Sequence, residues 1–294
     1  YSRGGDGRLT LKGGVREMLA TEMLEALGVY TSKTFSVYET GEALLRGDEP
    51  SPTRSCVLTR LSHSHVRYGT FQRLAHFRET ARLRRLVEFC AEFYLPECEA
   101  LAAGTRGGLP AALARAAARR VARTVAQWML AGFVHGVLNT DNMNVTGESF
   151  DYGPWRFAPT FDGTLVAAYF DHGALYAFGR QPDAVRWNVS RLCVALESVA
   201  PDGDYEAALR DYDEALGAAL RAGLCARLGV LPRGFDEDSA LVASAFAYLE
   251  NARPAYERFF FDWHGGPVSR GALAAFPVRE AYRALEMVGI VQIR

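Results

Sequence analysis

Three oxygen-bearing side chains near the middle of the sequence have the types and spacing that metal–phosphate chemistry uses. Asp141 and Asn142 are adjacent, and Asp151 follows ten positions after Asp141 in an Asp-Tyr-Gly-Pro sequence. Carboxylate and carboxamide oxygens on loops are hard ligands, which suit Mg²⁺ or Mn²⁺ with a bound nucleotide. The same short sequences also suit ordinary turns and a helix cap, so residue type alone leaves both interpretations open.

The order of the surrounding segments favours the metal–phosphate interpretation. A long helical run ends at Gly132, a His-Gly loop follows, and Asp141, Asn142 and then Asp151 come after it. Kinase-like phosphotransferases use a catalytic-loop Asp and Asn, followed by an Asp-Phe-Gly sequence whose carboxylate binds the metal. Here the Asp and Asn are adjacent and Tyr replaces Phe, so the motif is not that of a protein kinase.

Length and composition describe an ordinary globular protein. The 294 residues are enough for one large domain or two lobes, and 49% of them are hydrophobic and 23% charged. A net charge of −1 gives no overall attraction for nucleic acid or an anionic membrane. No apolar run reaches the roughly 18 residues of a membrane span. We therefore expect neither nucleic acid nor a membrane as a partner.

Cysteine and histidine spacings give no support for a zinc site. The five cysteines are scattered without a Cys-x-x-Cys spacing, which indicates a reducing compartment, and Cys90 and Cys98 are expected to pack as small hydrophobes. His63 and His65 have no third ligand at a recognisable spacing. We expect His135 to order the loop before Asp141.

The first quarter of the chain has the pattern of a small mixed unit. Apolar residues at helical spacing from Val15 to Leu27 predict a helix that Gly28 ends. The sequences TFSVYE and SCVLTRL predict two strands, separated by a loop in GDEPSPT. After about Phe77 the pattern becomes helical.

The remainder of the chain is predicted to be mostly helical. The helical spacing is interrupted at Pro96, and Pro110 begins a long alanine- and arginine-rich helix. LVAAYFDHGALYAFGRQP suggests a strand and a loop, and further helical stretches begin near Pro182, Tyr205 and Asp236. The sequence thus predicts an α+β fold in which a small α/β lobe precedes a larger helical lobe.

Five motifs, in order, extend over nearly the whole chain. They are YSRGGDGR, VREMLATEMLEALGV, TRLSHSHVRYGTFQ, HGVLNTDNMNVTGESFDYGPW and AFGRQPDAVRWNVSRL. Together they resemble the selenoprotein O family of kinase-like protein adenylyltransferases. The resemblance implies a two-lobed, protein-kinase-like α+β fold, with a truncated first lobe in residues 1–76 and a large helical second lobe in residues 77–294.

The activity that the resemblance implies is transfer of AMP from ATP to Ser, Thr or Tyr hydroxyls of proteins. The nucleotide is then inverted relative to its orientation in kinases, and Mg²⁺ or Mn²⁺ is the cofactor. The implied partners are ATP and the acceptor proteins. A bacterial cytoplasm and a mitochondrion both fit the family.

The resemblance also implies roles for individual residues. Asp141 is the proton acceptor, because the attacking hydroxyl must lose its proton, and Asn142 and Asp151 hold the cation that neutralises the phosphates. The other residues with implied roles are Asp6, Gly7, Arg60 and Arg67, which contact the nucleotide, and Glu17, which matches a glutamate that pairs with a nucleotide-positioning lysine.

The residues of this second group also have simpler interpretations. Asp6 and Gly7 suit a loop turn, whereas Arg60, Arg67 and Glu17 suit a solvated surface. For the two arginines, the fork geometry of a guanidinium and the family likeness favour phosphate binding.

The sequence departs from the family in its lysines and at its end. The family's paired lysine and a glycine-rich phosphate-binding segment lie upstream of YSRGGDGR, whereas Lys12 and Lys33 are the only lysines here. The family's selenocysteine or cysteine near the C-terminus is not evident in GIVQIR. We therefore expect a fragment of a longer protein or a degenerate member. The alternatives to AMP transfer are a catalytically impaired, pseudokinase-like nucleotide-binding chain and a protein-kinase-type phosphotransferase.

Overall fold

The computed structural model describes residues 7–47 and 50–265. The first elements are β1 (Leu9–Thr10), α1 (Leu11–Ala26), β2 (Lys33–Leu44) and β3 (Thr53–Leu61). The three strands form one antiparallel sheet in the order β1-β3-β2, and α1 packs against β2 and β3. Both strands that the sequence predicted in this part of the chain are confirmed.

Helix α1 begins at Leu11, earlier than predicted, because Thr10 caps it. The Thr10 hydroxyl accepts a hydrogen bond from the backbone N–H of Gly13 at 3.0 Å, which satisfies one of the free donors of the first turn. At the other end Gly28 adopts a left-handed conformation, with φ of +77°, and ends the helix as predicted.

The rest of the described chain is mostly helical, with one small two-stranded sheet. Strands β4 (Phe133–His135) and β5 (Trp155–Phe157) pair antiparallel, and Val134 lies opposite Arg156. The elements are α2 (Tyr68–His76), α3 (Thr80–Phe93), α4 (Glu97–Ala102), α5 (Gly108–Ala131), β4 (Phe133–His135), β5 (Trp155–Phe157), α6 (Gln181–Glu197), α7 (Glu206–Leu228), α8 (Phe235–Ala252) and α9 (Tyr256–Trp263).

Helix α5 forms the centre of the helical part. Most of its residues are buried, and it packs against α3, α4, α6 and α7. Arg115 and Arg119 of α5 pair with Asp211 of α7 at 2.6 and 3.0 Å. Gly132 ends α5 with φ of +65°, as the sequence predicted. The chain then enters β4 and the loop that carries Asp141.

Helix α2 begins at Tyr68, before the predicted change to helix after Phe77. The backbone N–H of Tyr68 donates to the carbonyl of Met143 at 2.9 Å, and the Tyr68 and Phe71 side chains are buried. These contacts join segments that are far apart in sequence. Local apolar spacing therefore did not predict where this helix begins.

The prediction of a strand in LVAAYFDHGALYAFGRQP is wrong. Residues 165–177 form successive turns, in which Asp171 N–H donates to Ala168 and Ala174 N–H donates to Asp171, each at 3.1 Å. Tyr169 and Phe170 are exposed, so their apolar character does not reflect a buried strand. The Asp171 carboxylate also caps the turn that follows.

The predicted α+β class and the predicted packing of Cys90 and Cys98 agree with the structure. The described part of the chain mixes helices and strands, as an α+β fold requires. All five cysteines are free and buried, and Cys90 and Cys98 have no exposed surface. Within the described ranges, no helix is both long and apolar enough to cross a membrane.

Candidate active site

A cleft of about 610 Å³ lies where the sheet and α1 meet the loop at Asp151. Its lining includes residues of β1, β2 and β3, and most of the residues with predicted nucleotide or metal roles. Those residues are Gly7, Arg60, Arg67 and Asp151, and the lining also includes Glu17, which was predicted to form an ion pair. Asp6, which was also predicted to contact the nucleotide, lies outside the described residues.

Two arginines converge on Asp151 inside this cleft. Arg60 Nη2 lies 3.7 Å from Asp151 Oδ1, and Arg67 Nη1 lies 3.4 Å from Oδ2. Both guanidinium groups also stack over the Phe150 ring, at 5.4 and 5.0 Å from its centroid. Asp151 itself has a φ of +62°, a strained value for a residue other than glycine. The cleft therefore combines two guanidinium groups with one carboxylate.

Glu17 fixes Arg60 and the Asp151 loop relative to α1. It is only 8% exposed; its Oε2 accepts a hydrogen bond from Arg60 Nη2 at 3.1 Å, and its Oε1 accepts one from Gly153 N–H at 3.0 Å. The pKa of Glu17 lies above its ordinary value. Burial raises this pKa most, the positive charge of Arg60 lowers it, and the negative charge of Asp151 raises it. The carboxylate that the resemblance pairs with a lysine is paired here with Arg60.

The predicted proton acceptor lies on a short 3₁₀ turn, Thr140–Asn142. Asn139 caps this turn, since its Oδ1 accepts from the backbone N–H of Asp141 at 3.0 Å. The Asn142 side-chain NH₂ donates to the Val137 carbonyl at 2.7 Å. This bond fixes the carboxamide and leaves its oxygen as the end that can meet a cation.

Gly69, in the first turn of α2, gives the Asp141 carboxylate the space it occupies. A Cβ atom built on Gly69 would overlap Asp141 Oδ1. One turn later on the same helix, Gln72 Oε1 accepts a hydrogen bond from Thr140 Oγ1 at 2.5 Å. Helix α2 therefore positions the turn that carries Asp141. The sequence reasoning did not single out Gly69, because no local pattern marks it.

Asp141 and Asp151 both lie close to the start of α2. Asp151 contacts Arg67, the residue that precedes the helix, whereas Asp141 lies against Gly69. The lining of the 610 Å³ cleft does not include Asp141 or Asn142. The predicted residues are thus brought to one region of the molecule, but not all of them into the same cavity.

His135 orders the loop from inside the protein. It is fully buried, and burial lowers its pKa to about 4, so the ring is neutral near pH 7. Its Nδ1 accepts from Val137 N–H and its Nε2 donates to the Phe150 carbonyl, both at 3.3 Å. The ring thereby connects the loop before Asp141 to the residue before Asp151.

Two buried amides of α6 hold the same loop, and sequence reasoning missed both. Gln181 Oε1 accepts from His135 N–H at 2.8 Å, and its Nε2 donates to the Phe133 carbonyl at 2.9 Å. Asn188 Nδ2 donates to the Leu138 carbonyl at 2.7 Å. Both side chains are fully buried and hydrogen-bond to the backbone of this loop, which points to a structural role. The spacing of these two amides on one helix is the only signal in the sequence for this structural role.

A buried carboxylate joins the segment before Arg67 to the loop between Asp141 and Asp151. The Glu148 side chain is 2% exposed and accepts hydrogen bonds from Ser62 Oγ at 2.6 Å and from His63 N–H at 2.9 Å. Thr146 Oγ1 also donates to it, at 3.1 Å. The position of Arg67 therefore depends on the same loop that carries the predicted ligands.

The donors available for a cation are few. In residues 7–47 and 50–265, no cluster of three or more His, Cys, Asp or Glu side chains is placed to hold a metal ion. The carboxamide oxygen of Asn142 and the carboxylate of Asp151 are each the type of hard donor that Mg²⁺ accepts, since this ion takes one or two protein ligands and fills its octahedron with phosphate and water oxygens. A site of this kind is completed by the nucleotide.

Comparisons with known proteins find a matching family model and a set of similar proteins. A protein-family model described as "Protein adenylyltransferase SelO" matches residues 1–266. A protein nucleotidyltransferase YdiU of Synechocystis sp. is 52% identical over 268 residues, which cover 88% of this chain and 55% of the relative. The YdiU protein of Gloeobacter violaceus is 47% identical over 295 residues, covering 98% and 59%. That of Vibrio cholerae is 36% identical over 259 residues, covering 88% and 51%. The chain thus spans about half the length of the curated relatives it matches.

Proposed function

This chain belongs to the protein adenylyltransferase SelO family, and from that membership we propose that it transfers AMP from ATP to Ser, Thr or Tyr hydroxyls of proteins. The observation that carries the proposal is the convergence of Arg60 and Arg67 on Asp151 in one cleft. Guanidinium groups bind phosphate oxygens through paired hydrogen bonds, and the carboxylate suits a divalent cation.

The proposed fold is kinase-like and two-lobed, with residues 1–76 in the first lobe and 77–294 in the second. Its support is the family membership together with the order of elements, in which a small sheet with α1 precedes the helical part. In this arrangement the triphosphate binds where Glu17 joins α1 to Arg60 and Gly153. The backbone at Gly7 approaches the nucleotide from the sheet side.

In the proposed reaction, the acceptor hydroxyl oxygen attacks the α-phosphorus of ATP. A new oxygen–phosphorus bond forms, the bond from the α-phosphorus to the bridging oxygen breaks, and pyrophosphate leaves. Asp141 takes the hydroxyl proton, so its carboxylate must be held at the attack position. Arg60 and Arg67 balance the negative charge of the phosphate oxygens, and Glu17 keeps Arg60 oriented.

Asn142 and Asp151 are the residues that would hold Mg²⁺ or Mn²⁺. The cation, when bound, neutralises phosphate charge and favours departure of pyrophosphate. The residues of the chain orient this site: the Val137 carbonyl fixes the Asn142 amide, and Arg60 and Arg67 fix the Asp151 carboxylate.

The experiment that tests the proposal compares ATP labelled at the α-phosphate with ATP labelled at the γ-phosphate. The chain is incubated with each nucleotide, Mg²⁺ or Mn²⁺, and an added acceptor protein rich in exposed hydroxyls. We expect protein-bound label from the α-phosphate alone, and its loss by a factor of about 10² to 10⁴ in Asp141→Asn. Label from the γ-phosphate alone would identify a protein-kinase-type reaction. Tight ATP binding without either label would identify a nucleotide-binding chain that is impaired in catalysis.

A further inference from the structure

The exposed surface of α2 and α3 carries a concentration of positive charge. Residues 68–93, which cover α2 and α3, contain five arginines and three glutamates, hence a net charge of +2, whereas the whole chain has a net charge of −1; all five arginines lie within residues 73–85, together with one of the glutamates. All five guanidinium groups belong to exposed residues. We call this region the basic surface, and its arginines are Arg73, Arg78, Arg82, Arg84 and Arg85.

Ion pairs within the protein account for little of this charge. Arg82 pairs with Glu79 at 2.8 Å, and Arg73 stacks on the Phe77 ring at 5.1 Å. In residues 7–47 and 50–265, Arg78, Arg84 and Arg85 form no ion pair. Most of the positive charge of the basic surface is therefore available to a partner.

The arginines of α3 also lie at positions where their positive charge does not stabilise the helix. Arg82, Arg84 and Arg85 lie in the first two turns of α3, at the positive end of the helix macrodipole. The first turn has no acidic residue, and Glu79 gives no side-chain cap at the N-terminus. The helix therefore gains no local stability from these charges, which leaves a contact outside the helix as their use.

The basic surface begins next to the candidate active site. Arg67 lines the cleft and directly precedes α2, and Gly69 in the first turn lies against Asp141. Arg73 is one turn further along this nine-residue helix, which spans about 14 Å. A chain that presents a hydroxyl to Asp141 can therefore extend over α2 onto the start of α3.

We propose that the basic surface docks an acidic segment of the acceptor protein, an inference that rests on the AMP transfer proposed above. Guanidinium groups bind carboxylates in paired hydrogen bonds, and Phe77, which is 57% exposed, adds an aromatic contact typical of protein interfaces. The preferred acceptor is thus a Ser, Thr or Tyr in a segment that also carries several Asp or Glu residues.

Charge complementarity selects this partner over the others. Residues 266–294 of the chain contain four arginines and two glutamates, so they do not complement the basic surface. A nucleic acid or an anionic membrane extends well beyond a patch of this size, and the net charge of −1 gives the remaining surface no attraction for either. A short acidic protein segment fits the patch alone.

The test measures binding of fluorescein-labelled peptides to the 294-residue chain without nucleotide, by fluorescence anisotropy. The probes are an acidic peptide with one acceptor Ser, the same peptide with Gln for Asp and Glu, and the same peptide with Lys. We expect the acidic peptide to bind best, and the double variant Arg84→Glu with Arg85→Glu to weaken it about tenfold or more. The matched control reverses two exposed arginines elsewhere, Arg210→Glu with Arg233→Glu, and is expected to change the affinity less than about twofold.

The outcomes separate the docking proposal from the proposed function. Equal affinity for the acidic and Gln peptides, or equal loss in the control variant, overturns the docking proposal. So does tighter binding of a single-stranded RNA oligonucleotide or of phosphatidylserine vesicles that depends on Arg84 and Arg85. If the acidic peptide binds through these arginines but no AMP is transferred to any acceptor, docking stands and the proposed function fails. If AMP is transferred equally to acidic and Gln peptides by wild type and variant, docking fails and the function stands.

Discussion

At the scale of single residues, Asp141 depends on a glycine from another element. Because a Cβ atom on Gly69 would overlap Asp141 Oδ1, Gly69→Ala must displace the carboxylate or the start of α2. We expect AMP transfer to fall by about a hundredfold, since a displacement of about 1 Å at a reacting group has this effect. ATP affinity, measured by calorimetry, is expected to stay within about twofold, because Gly69 does not line the cleft that holds Arg60 and Arg67.

The matched control is Gly104→Ala, since an added Cβ at Gly104 meets no atom within 4 Å. It is expected to keep wild-type transfer and wild-type thermal stability. A Gly69→Ala variant that transfers AMP at the wild-type rate would show that Asp141 does not need its present position.

The sequence marks as candidates those residues whose chemistry is visible in their type. Asp141, Asn142 and Asp151 stand out because carboxylate and amide oxygens recur at a spacing that metal–phosphate sites use. Gly69 and Gln181 did not stand out, because their roles lie in contacts with residues far away in the sequence. A glycine that makes room for a carboxylate looks, in sequence, like any glycine in a helix.

At the scale of elements, the contact between α5 and α7 depends on one buried carboxylate. Asp211 accepts hydrogen bonds from Arg115 Nε at 2.6 Å and from Arg119 Nη2 at 3.0 Å. Asp211→Asn keeps the shape but leaves two guanidinium groups without their charge partner. We expect a loss of about 2 kcal/mol in the free energy of unfolding at pH 7, measured by urea denaturation, which is less than a fully buried pair would give because both arginines reach solvent.

The effect of Asp211→Asn on the free energy of unfolding is expected to depend on pH. Burial alone raises the pKa of Asp211, but the hydrogen bonds and charges of Arg115 and Arg119 outweigh it and hold the pKa below its ordinary value. The stabilisation is therefore complete above about pH 4, the ordinary aspartate pKa, and is lost as the pH falls through the lower folded-state pKa. The difference between wild type and Asp211→Asn should shrink as the pH is lowered below about 4.

Asp213→Asn is the control for this pair. Asp213 lies two positions further along α7 and pairs with Arg186, but both side chains are about half exposed. Removing this pair should change the free energy of unfolding by less than about 1 kcal/mol. A loss in Asp211→Asn that persists unchanged at low pH would contradict the electrostatic explanation.

Element prediction succeeded where local pattern decides the structure. Helix α5 was predicted from its alanine-rich periodicity and from Gly132 at its end, and both are confirmed. The strand predicted within residues 165–177 failed, because the apolar residues there belong to exposed turns. Helix α2 was placed too late, because its first residues are fixed by the loop at Met143.

At the scale of the whole molecule, the cleft is held by contacts between distant parts of the chain. Glu17 of α1 binds both Arg60 of β3 and the backbone at Gly153, so the sheet side and the Asp151 loop are fixed to each other. Glu148 fastens the segment before Arg67 to the loop that leads to Asp151. Composition and periodicity predicted the α+β class, but not this joining of segments.

This joining predicts that a nucleotide with its cation stabilises the whole molecule. A ligand that binds only the folded state adds about 2.7 kcal/mol to the free energy of unfolding when its concentration is about 100 times its Kd. We expect ATP with Mg²⁺ or Mn²⁺ to raise the melting temperature, and EDTA to remove part of the increase.

Two variants separate the contribution of the cation from that of the phosphate contacts. Asp151→Asn should abolish the part of the increase that EDTA removes, because its carboxylate is the proposed metal ligand. Arg67→Gln should reduce the part of the increase that persists in EDTA, because its guanidinium is proposed to bind phosphate. Asp162→Asn, at a carboxylate that caps a turn at Thr164, should keep both parts. Should EDTA leave the ATP-induced shift of wild type unchanged, the cation would have no role in nucleotide binding, and the assignment of Asn142 and Asp151 as its ligands would have to be abandoned.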